Sequence, residues 1–179
     1  MWLNEQKLTD RDMGVVVQEA IINKQCKYLH LSSNKITSVG ALILADALND
    51  NKTLEELVLD DNRVCDDGVY SLVKTLSIKN NILKKLSLGN NGITNEGAKQ
   101  LAQMIKTNKI LTCLKLYQNE ITDGGIQILA DAIEKHNTTI EVLDLFENKL
   151  LTDLSVDSLL QMIEHTQSLK ELDVSRVAA

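Results

Sequence analysis

The sequence predicts an α/β solenoid: a horseshoe with a parallel β-sheet lining its concave face and α-helices covering its convex face. Three observations carry this expectation. A leucine pair followed by an asparagine recurs five times, as Leu29, Leu31, Asn34; Leu57, Leu59, Asn62; Leu86, Leu88, Asn91; Leu114, Leu116, Asn119; and Leu143, Leu145, Asn148. The asparagines are separated by 28, 29, 28 and 29 residues. Around each leucine pair the apolar residues alternate, as a strand requires, and after each asparagine they fall at helical spacing. One such unit cannot bury its own apolar face, so the units must stack around a continuous core.

The elements follow in order within one domain spanning residues 1–179: a partial repeat over 1–24, five repeats over about 25–168, and a partial strand over 169–179. In the partial repeat, Leu3 takes the place of the last strand leucine, Gln6 that of the asparagine and Leu8 that of the anchor, with Val15, Val16, Ala20 and Ile21 on the helix. In a full repeat, such as Leu54-Glu55-Glu56-Leu57-Val58-Leu59, the strand sends alternate side chains into the core. The asparagine turns inward, where its amide can pair backbone groups that a buried bend would leave unsatisfied. Asn34, Asn62, Asn91, Asn119 and Asn148 are therefore expected to form a structural ladder. An apolar anchor follows two residues later (Ile36, Val64, Ile93, Ile121, Leu150), and in the first four repeats a glycine follows six residues after the asparagine (Gly40, Gly68, Gly97, Gly125). The helices then bury residues such as Ala41, Leu44, Ala45 and Leu48. The fifth repeat departs from this rule, with Leu154 in the glycine slot and its helical residues Leu159, Leu160 and Ile163 one position late. Residues 169–175 begin a sixth strand. Neither end has a polar cap, so the chain is expected to be a piece of a longer array, and an uncapped array predicts end-to-end association as a homodimer. Trp2 is placed to cover the first edge.

Over essentially the whole chain this pattern resembles the ribonuclease-inhibitor-like class of leucine-rich repeats, whose alternating 28- and 29-residue units each pair a parallel strand with a full α-helix. The resemblance implies a protein-protein interaction module, the sensor or scaffold part of a larger receptor or effector. It also implies one alternative, a GTPase-activating protein of the Ran type, for which Arg63 beside Asn62 is the nearest candidate; a further possibility is a structural spacer within a longer solenoid.

Composition bounds the function. Hydrophobic residues make up 44% of the chain, enough for a core, but aromatics only 3% and proline is absent, so Leu, Ile, Val and Ala must fill it. The net charge of -6, with both signs interleaved and no basic cluster, argues against nucleic acid as a partner. No apolar run is long enough to cross a membrane, and no secretory signal is present, so a cytoplasmic, reducing compartment is expected, or the host cytosol for a delivered effector. Cys26, Cys65 and Cys113 read as free thiols in that setting, and the sequons at Asn51 and Asn137 are discounted. His30, His136 and His165 lie in different parts of the repeat, and Asp60, Asp61, Asp66 and Asp67 lack the glycine-turned loop of a calcium motif. No catalytic residue, metal or cofactor is expected.

The candidate site lies where side chains leave the sheet on its concave side. The residue between the paired leucines gives a column of His30, Val58, Ser87, Lys115, Asp144 and Asp173. The next column is Ser32, Asp60, Gly89, Tyr117, Phe146 and Ser175, and the third is Ser33, Asp61, Asn90, Gln118, Glu147 and Arg176. Tyr117 and Phe146 fall on adjacent strands, about 5 Å apart, and Phe146 is the only phenylalanine. Two neighbouring aromatics rimmed by Lys115, Asp144 and Glu147 have the make-up of a partner-binding hot spot. The same pair could instead stack and shield the sheet.

Overall fold

Each repeat begins with a three-residue strand because its central leucine is the residue that must point into the core. The computed structural model describes residues 1–78, 82–136, 139–148 and 152–174. Its strands are β1 (Tyr28–His30), β2 (Glu56–Val58), β3 (Lys85–Ser87), β4 (Cys113–Lys115), β5 (Val142–Asp144) and β6 (Glu171–Asp173). They form one parallel sheet in chain order. The register aligns Leu29, Leu57, Leu86, Leu114, Leu143 and Leu172, so the leucines stack directly upon one another. The first five are fully buried.

Helices return the chain from each strand to the next: α1 (Met13–Val16, continuing as a π-helical turn over Val17–Asn23), α2 (Ser38–Leu48), α3 (Cys65–Ile78), α4 (Asn95–Thr107), α5 (Asp123–His136) and α6 (Val156–His165). From α2 onward each helix packs on the next. Their alanines, including Ala41, Ala98 and Ala102, are buried. In the partial first repeat Val16, Ala20 and Ile21 are buried, but Val15 is 67% exposed, and Met13 takes the inward place instead. Residues 1–8 run alongside β1 and the bend after it, pairing with β1 through Leu3 N–H to the His30 carbonyl (2.8 Å) and with the bend through Lys35 N–H to the Leu8 carbonyl (2.8 Å). At the other end, Leu160 and Ile163 of α6 are exposed, as is Leu154 in the 3-10 turn before it.

The asparagines hold the bends. Asn119 Nδ2 donates to the carbonyls of Leu88 and Leu116 (both 2.9 Å) and Tyr117 (3.2 Å). Its Oδ1 accepts from Asn91 N–H and Ile93 N–H, both at 3.0 Å. Asn34, Asn62 and Asn148 repeat the arrangement, each accepting from the anchor of the preceding repeat: Leu8, Ile36 and Ile121 N–H. Asn91 accepts likewise from Val64 N–H. The residue just before each asparagine (Ser33, Asp61, Asn90, Gln118, Glu147) has φ between +50° and +56°. This left-handed residue turns the chain sharply enough to aim the asparagine inward. The anchor expected at Leu150 lies outside the described residues.

A second ladder, not anticipated from the sequence, joins the helix N-termini. Thr37, Thr94 and Thr152 cap their helices, and each donates its N–H and hydroxyl to the first helical carboxylate of the repeat before: Asp10 (2.8 and 2.7 Å), Asp66 (2.9 and 2.7 Å) and Asp123 (2.9 and 2.7 Å). Asn95 serves Thr122 in the same way, accepting its N–H and donating to its hydroxyl. The repeat glycines make room for this contact. A Cβ at Gly40 would lie 2.6 Å from Asp10 Oδ1, and one at Gly97 or Gly125 would lie 2.5 Å from Asp66 Oδ1 or Asn95 Oδ1. In the fifth repeat Thr152 comes four residues after the asparagine instead of three. Ser155, and not Leu154, therefore occupies the glycine's place: Ser155 is buried and Leu154 is 74% exposed. The ladder is interrupted once, where Ser38 stands for the carboxylate and Cys65, at φ +52°, stands for the threonine.

Two outcomes follow from these ladders. Asn119→Ala leaves several buried backbone groups unpaired and is expected to lower stability by about 3–5 kcal/mol, read as a fall in the urea midpoint with an unchanged slope. Cys65→Thr places a β-branched residue at φ +52°, where the backbone N–H already donates to the Asn91 carbonyl, and is expected to lower stability by about 1–2 kcal/mol; an unchanged or higher midpoint would show that this junction can take the cap geometry of the others.

Candidate binding face

The free face of the sheet is not flat, because Tyr117 divides it into two hollows. The ring of Tyr117 lies over Gly89, the residue of the same column in the preceding repeat, where any Cβ would overlap it. An aromatic side chain covers the glycine's bare backbone and fills the gap beside it. The phenol then reaches past β3 toward the Asp60 carboxylate, two repeats away. The Asp60 carboxylate accepts from Ser87 Oγ (2.6 Å) and Gly89 N–H (2.7 Å), and Asp60 and Ser87 are both buried. Burial, followed by the charges of Asp60 and its neighbours, pushes the Tyr117 phenol well above its ordinary range, so it stays protonated.

On one side of Tyr117, a hollow of about 320 Å³ is lined by His30, Glu56, Asp60, Lys85, Cys113 and Lys115, among others. Glu56 links its walls, facing His30 Nε2 at 3.0 Å and Lys85 Nζ at 3.5 Å. Trp2 covers the far end, its ring centroid 3.9 Å from that of His30. The Cys113 thiol faces this hollow, and burial pushes its pKa up, which leaves it a poor nucleophile.

On the other side, a hollow of about 330 Å³ is lined by Tyr117, Gln118, Asp144, Phe146 and Asp173. The sequence placed Tyr117, Phe146, Lys115, Asp144 and Glu147 together. In the structure Tyr117, Asp144 and Phe146 line this second hollow, while Lys115 and Tyr117 both line the first. Glu147 sits on the rim, where its carboxylate accepts from Gln118 Nε2. Asp144 accepts from Phe146 N–H at 3.1 Å, which fixes the start of the bend that carries the phenylalanine. Tyr117 and Phe146 are both half-buried. The outward positions Ser175 and Arg176 lie outside the described residues.

The other candidates are dispersed. His165 Nδ1 contacts Glu134 Oε1 at 3.1 Å among the helices, and the His136 carbonyl accepts from Lys109 Nζ. Arg63 is exposed, and its backbone N–H donates to Ile36. Cys26, Cys65 and Cys113 are free thiols. Asn51 is buried and accepts from the N–H groups of Thr53 and Leu54, so its sequon shapes a loop; Asn137 lies outside the described residues. Among the described residues no cluster of His, Cys, Asp and Glu could hold a metal, and no helix is long and apolar enough to cross a membrane.

The family model described as "Leucine Rich repeat" matches residues 27–45, 50–73, 79–102, 107–130 and 136–160. The chain belongs to the leucine-rich repeat family. This leucine-rich repeat is of the ribonuclease-inhibitor-like class. It is 34% identical over 158 residues to human "NACHT, LRR and PYD domains-containing protein 14", a match covering 87% of the chain and 14% of that relative. To the ribonuclease inhibitor of Sus scrofa it is 32% identical over 149 residues, covering 83% of the chain and 32% of the relative. The chain thus spans a minor part of the length of the relatives it matches. Its fold is similar to the solved structure of leiomodin-1 actin-binding site 2, with a TM-score of 0.71 at 19% identity over 87% of each chain.

The approach of Tyr117 to Asp60 gives a direct measurement. Tyr117→Phe removes the hydroxyl that faces the buried Asp60 carboxylate and is expected to cost about 1–2 kcal/mol at neutral pH. Because burial, and then the Asp60 charge, hold the folded pKa above the unfolded one, the contribution of the protonated phenol is complete below pH about 10 and is lost as pH rises beyond it. Wild-type stability should therefore decline in that alkaline range more steeply than that of Tyr117→Phe.

Proposed function

We propose that this leucine-rich repeat recognises a protein partner on its concave sheet, with Phe146, Lys115, Asp144 and Glu147 as contacts and Tyr117 as the fixed wall between two subsites. The observation that carries the reading is the paired hollows on either side of Tyr117. A rigid, indented sheet with half-buried aromatics in two adjacent repeats offers a partner anchor points at little ordering cost. Two similar proteins are named for protein binding, one an inhibitor of a ribonuclease and the other an actin-binding site, which supports a protein partner here. The chain's small share of its relatives' length supports a recognition part of a larger receptor, effector or scaffold. Three free thiols fit a reducing compartment such as the cytoplasm.

The test compares proteins captured from lysate of the native source by wild type and by Lys115→Glu/Phe146→Ser, a pair that leaves Tyr117 and Asp60 in place. A protein retained by wild type and depleted at least about tenfold by the folded variant is expected, as for loss of a central contact. Equal retention by both would move recognition off this face and favour a spacer role.

A further inference from the structure

Resting on that reading, we infer that the hollow between Tyr117 and Phe146 receives a basic side chain of the partner, an arginine whose guanidinium stacks on Phe146 and hydrogen-bonds the Asp144 carboxylate. The proposal stands on the hollow's composition. Its wall is aromatic on two sides, and Asp144 and Asp173 line the rest with Gln118. Asp144 stands beside Asp173 in the parallel register, and Glu147 lies three residues on, at the rim. Among the described residues no lysine or arginine is ion-paired with Asp144, although Lys115 is its register partner on β4.

The electrostatics agree with the geometry. Burial pushes the Asp144 carboxyl above the usual range; Asp173 and Asp60 add to the rise, and Phe146 N–H and Lys115 oppose it. An ionised carboxylate kept half-buried near two others is disfavoured in the free protein, and a cation placed in the hollow relieves that. Three kinds of occupant can be compared. An acidic side chain would meet Asp144, Asp173 and Glu147. An apolar one would desolvate Asp144 and leave it without a counter-charge. A lysine would satisfy the charge, but its compact, strongly hydrated ammonium does not stack on a ring as a planar guanidinium does. The arginine fork also matches a carboxylate edge, giving charge-assisted hydrogen bonds of defined direction.

The chain offers its own reporter, since Phe146 is its only phenylalanine. Protein labelled with 13C at phenylalanine gives one aromatic spin system, located in the hollow. The probes are N-acetyl-arginine amide, N-acetyl-lysine amide, N-acetyl-leucine amide and N-acetyl-glutamate amide, titrated into the tens of millimolar at matched ionic strength. The expected result is a saturable shift of Phe146 with the arginine derivative, a weaker one with lysine, and none with leucine or glutamate. Asp144→Asn keeps an acceptor for Phe146 N–H and so keeps the fold. It is expected to weaken the arginine response about tenfold or more, the factor for losing a hydrogen bond to a charged group. The unliganded Phe146 resonance checks that the variant is folded. No saturable shift with arginine, an equal response in Asp144→Asn, or an equal response to leucine or glutamate would each overturn the assignment. The capture experiment is independent of it: a partner lost from Lys115→Glu/Phe146→Ser alongside a hollow indifferent to arginine would leave the concave reading standing and remove only the basic side chain.

Discussion

The bends that follow β1 to β5 each turn an asparagine toward the interior, and each has more backbone donors and acceptors than its own residues can pair. The asparagine amide answers this constraint with both ends at once: its Nδ2 takes carbonyls from its own repeat and the one before, and its Oδ1 takes the anchor N–H of the repeat before. The leucine stack, the register of the sheet and the placement of the helices all presuppose those bends. The left-handed residue before each asparagine belongs to the same solution, because without it the amide would point along the strand and not into the interior. That constraint also reaches the binding face. Glu147 and Gln118 are left-handed residues of this kind, so their side chains leave the bend in directions set by the ladder.

Strands, core and asparagines were legible in the sequence because they recur at one spacing and each position is a single residue type. The carboxylate-to-threonine ladder was not, although its signal is there: a threonine three or four residues after the asparagine, then Asp or Asn at the next position. Each contact joins residues 27 to 29 apart in different repeats, and either partner alone reads as an ordinary loop residue. At Gly40, Gly97 and Gly125 the reason for glycine is the side-chain oxygen of the neighbouring repeat, which occupies the space a Cβ would need. In the partial repeat Val15 and Val16 both lie on the helix, as expected, but only Val16 faces the core, with Met13 completing the inward stripe.

At the candidate site the column assignment placed Tyr117 and Phe146 on adjacent strands, and they do line one hollow. A column gives the direction in which a side chain leaves the sheet and not the direction in which it then leans. Tyr117 leans away from Phe146, toward the strand that lacks a side chain at that level. The glycine in the same column one repeat earlier was the available clue, and a buried aspartate one repeat beyond it faces the hydroxyl. The tyrosine thereby acts as part of the scaffold while its ring still shapes both hollows.

An array of repeats is ordinarily described by the intrinsic stability of each unit and by the interfaces between immediate neighbours. The hydroxyl of Tyr117 reaches Asp60 across an intervening repeat and adds a term that such a description lacks. The second, third and fourth repeats are thereby linked as a block, and fraying that advances from either end meets a contact that must break before the strand beneath it is released. Cooperativity is concentrated in the middle of the solenoid, under the face on which recognition depends.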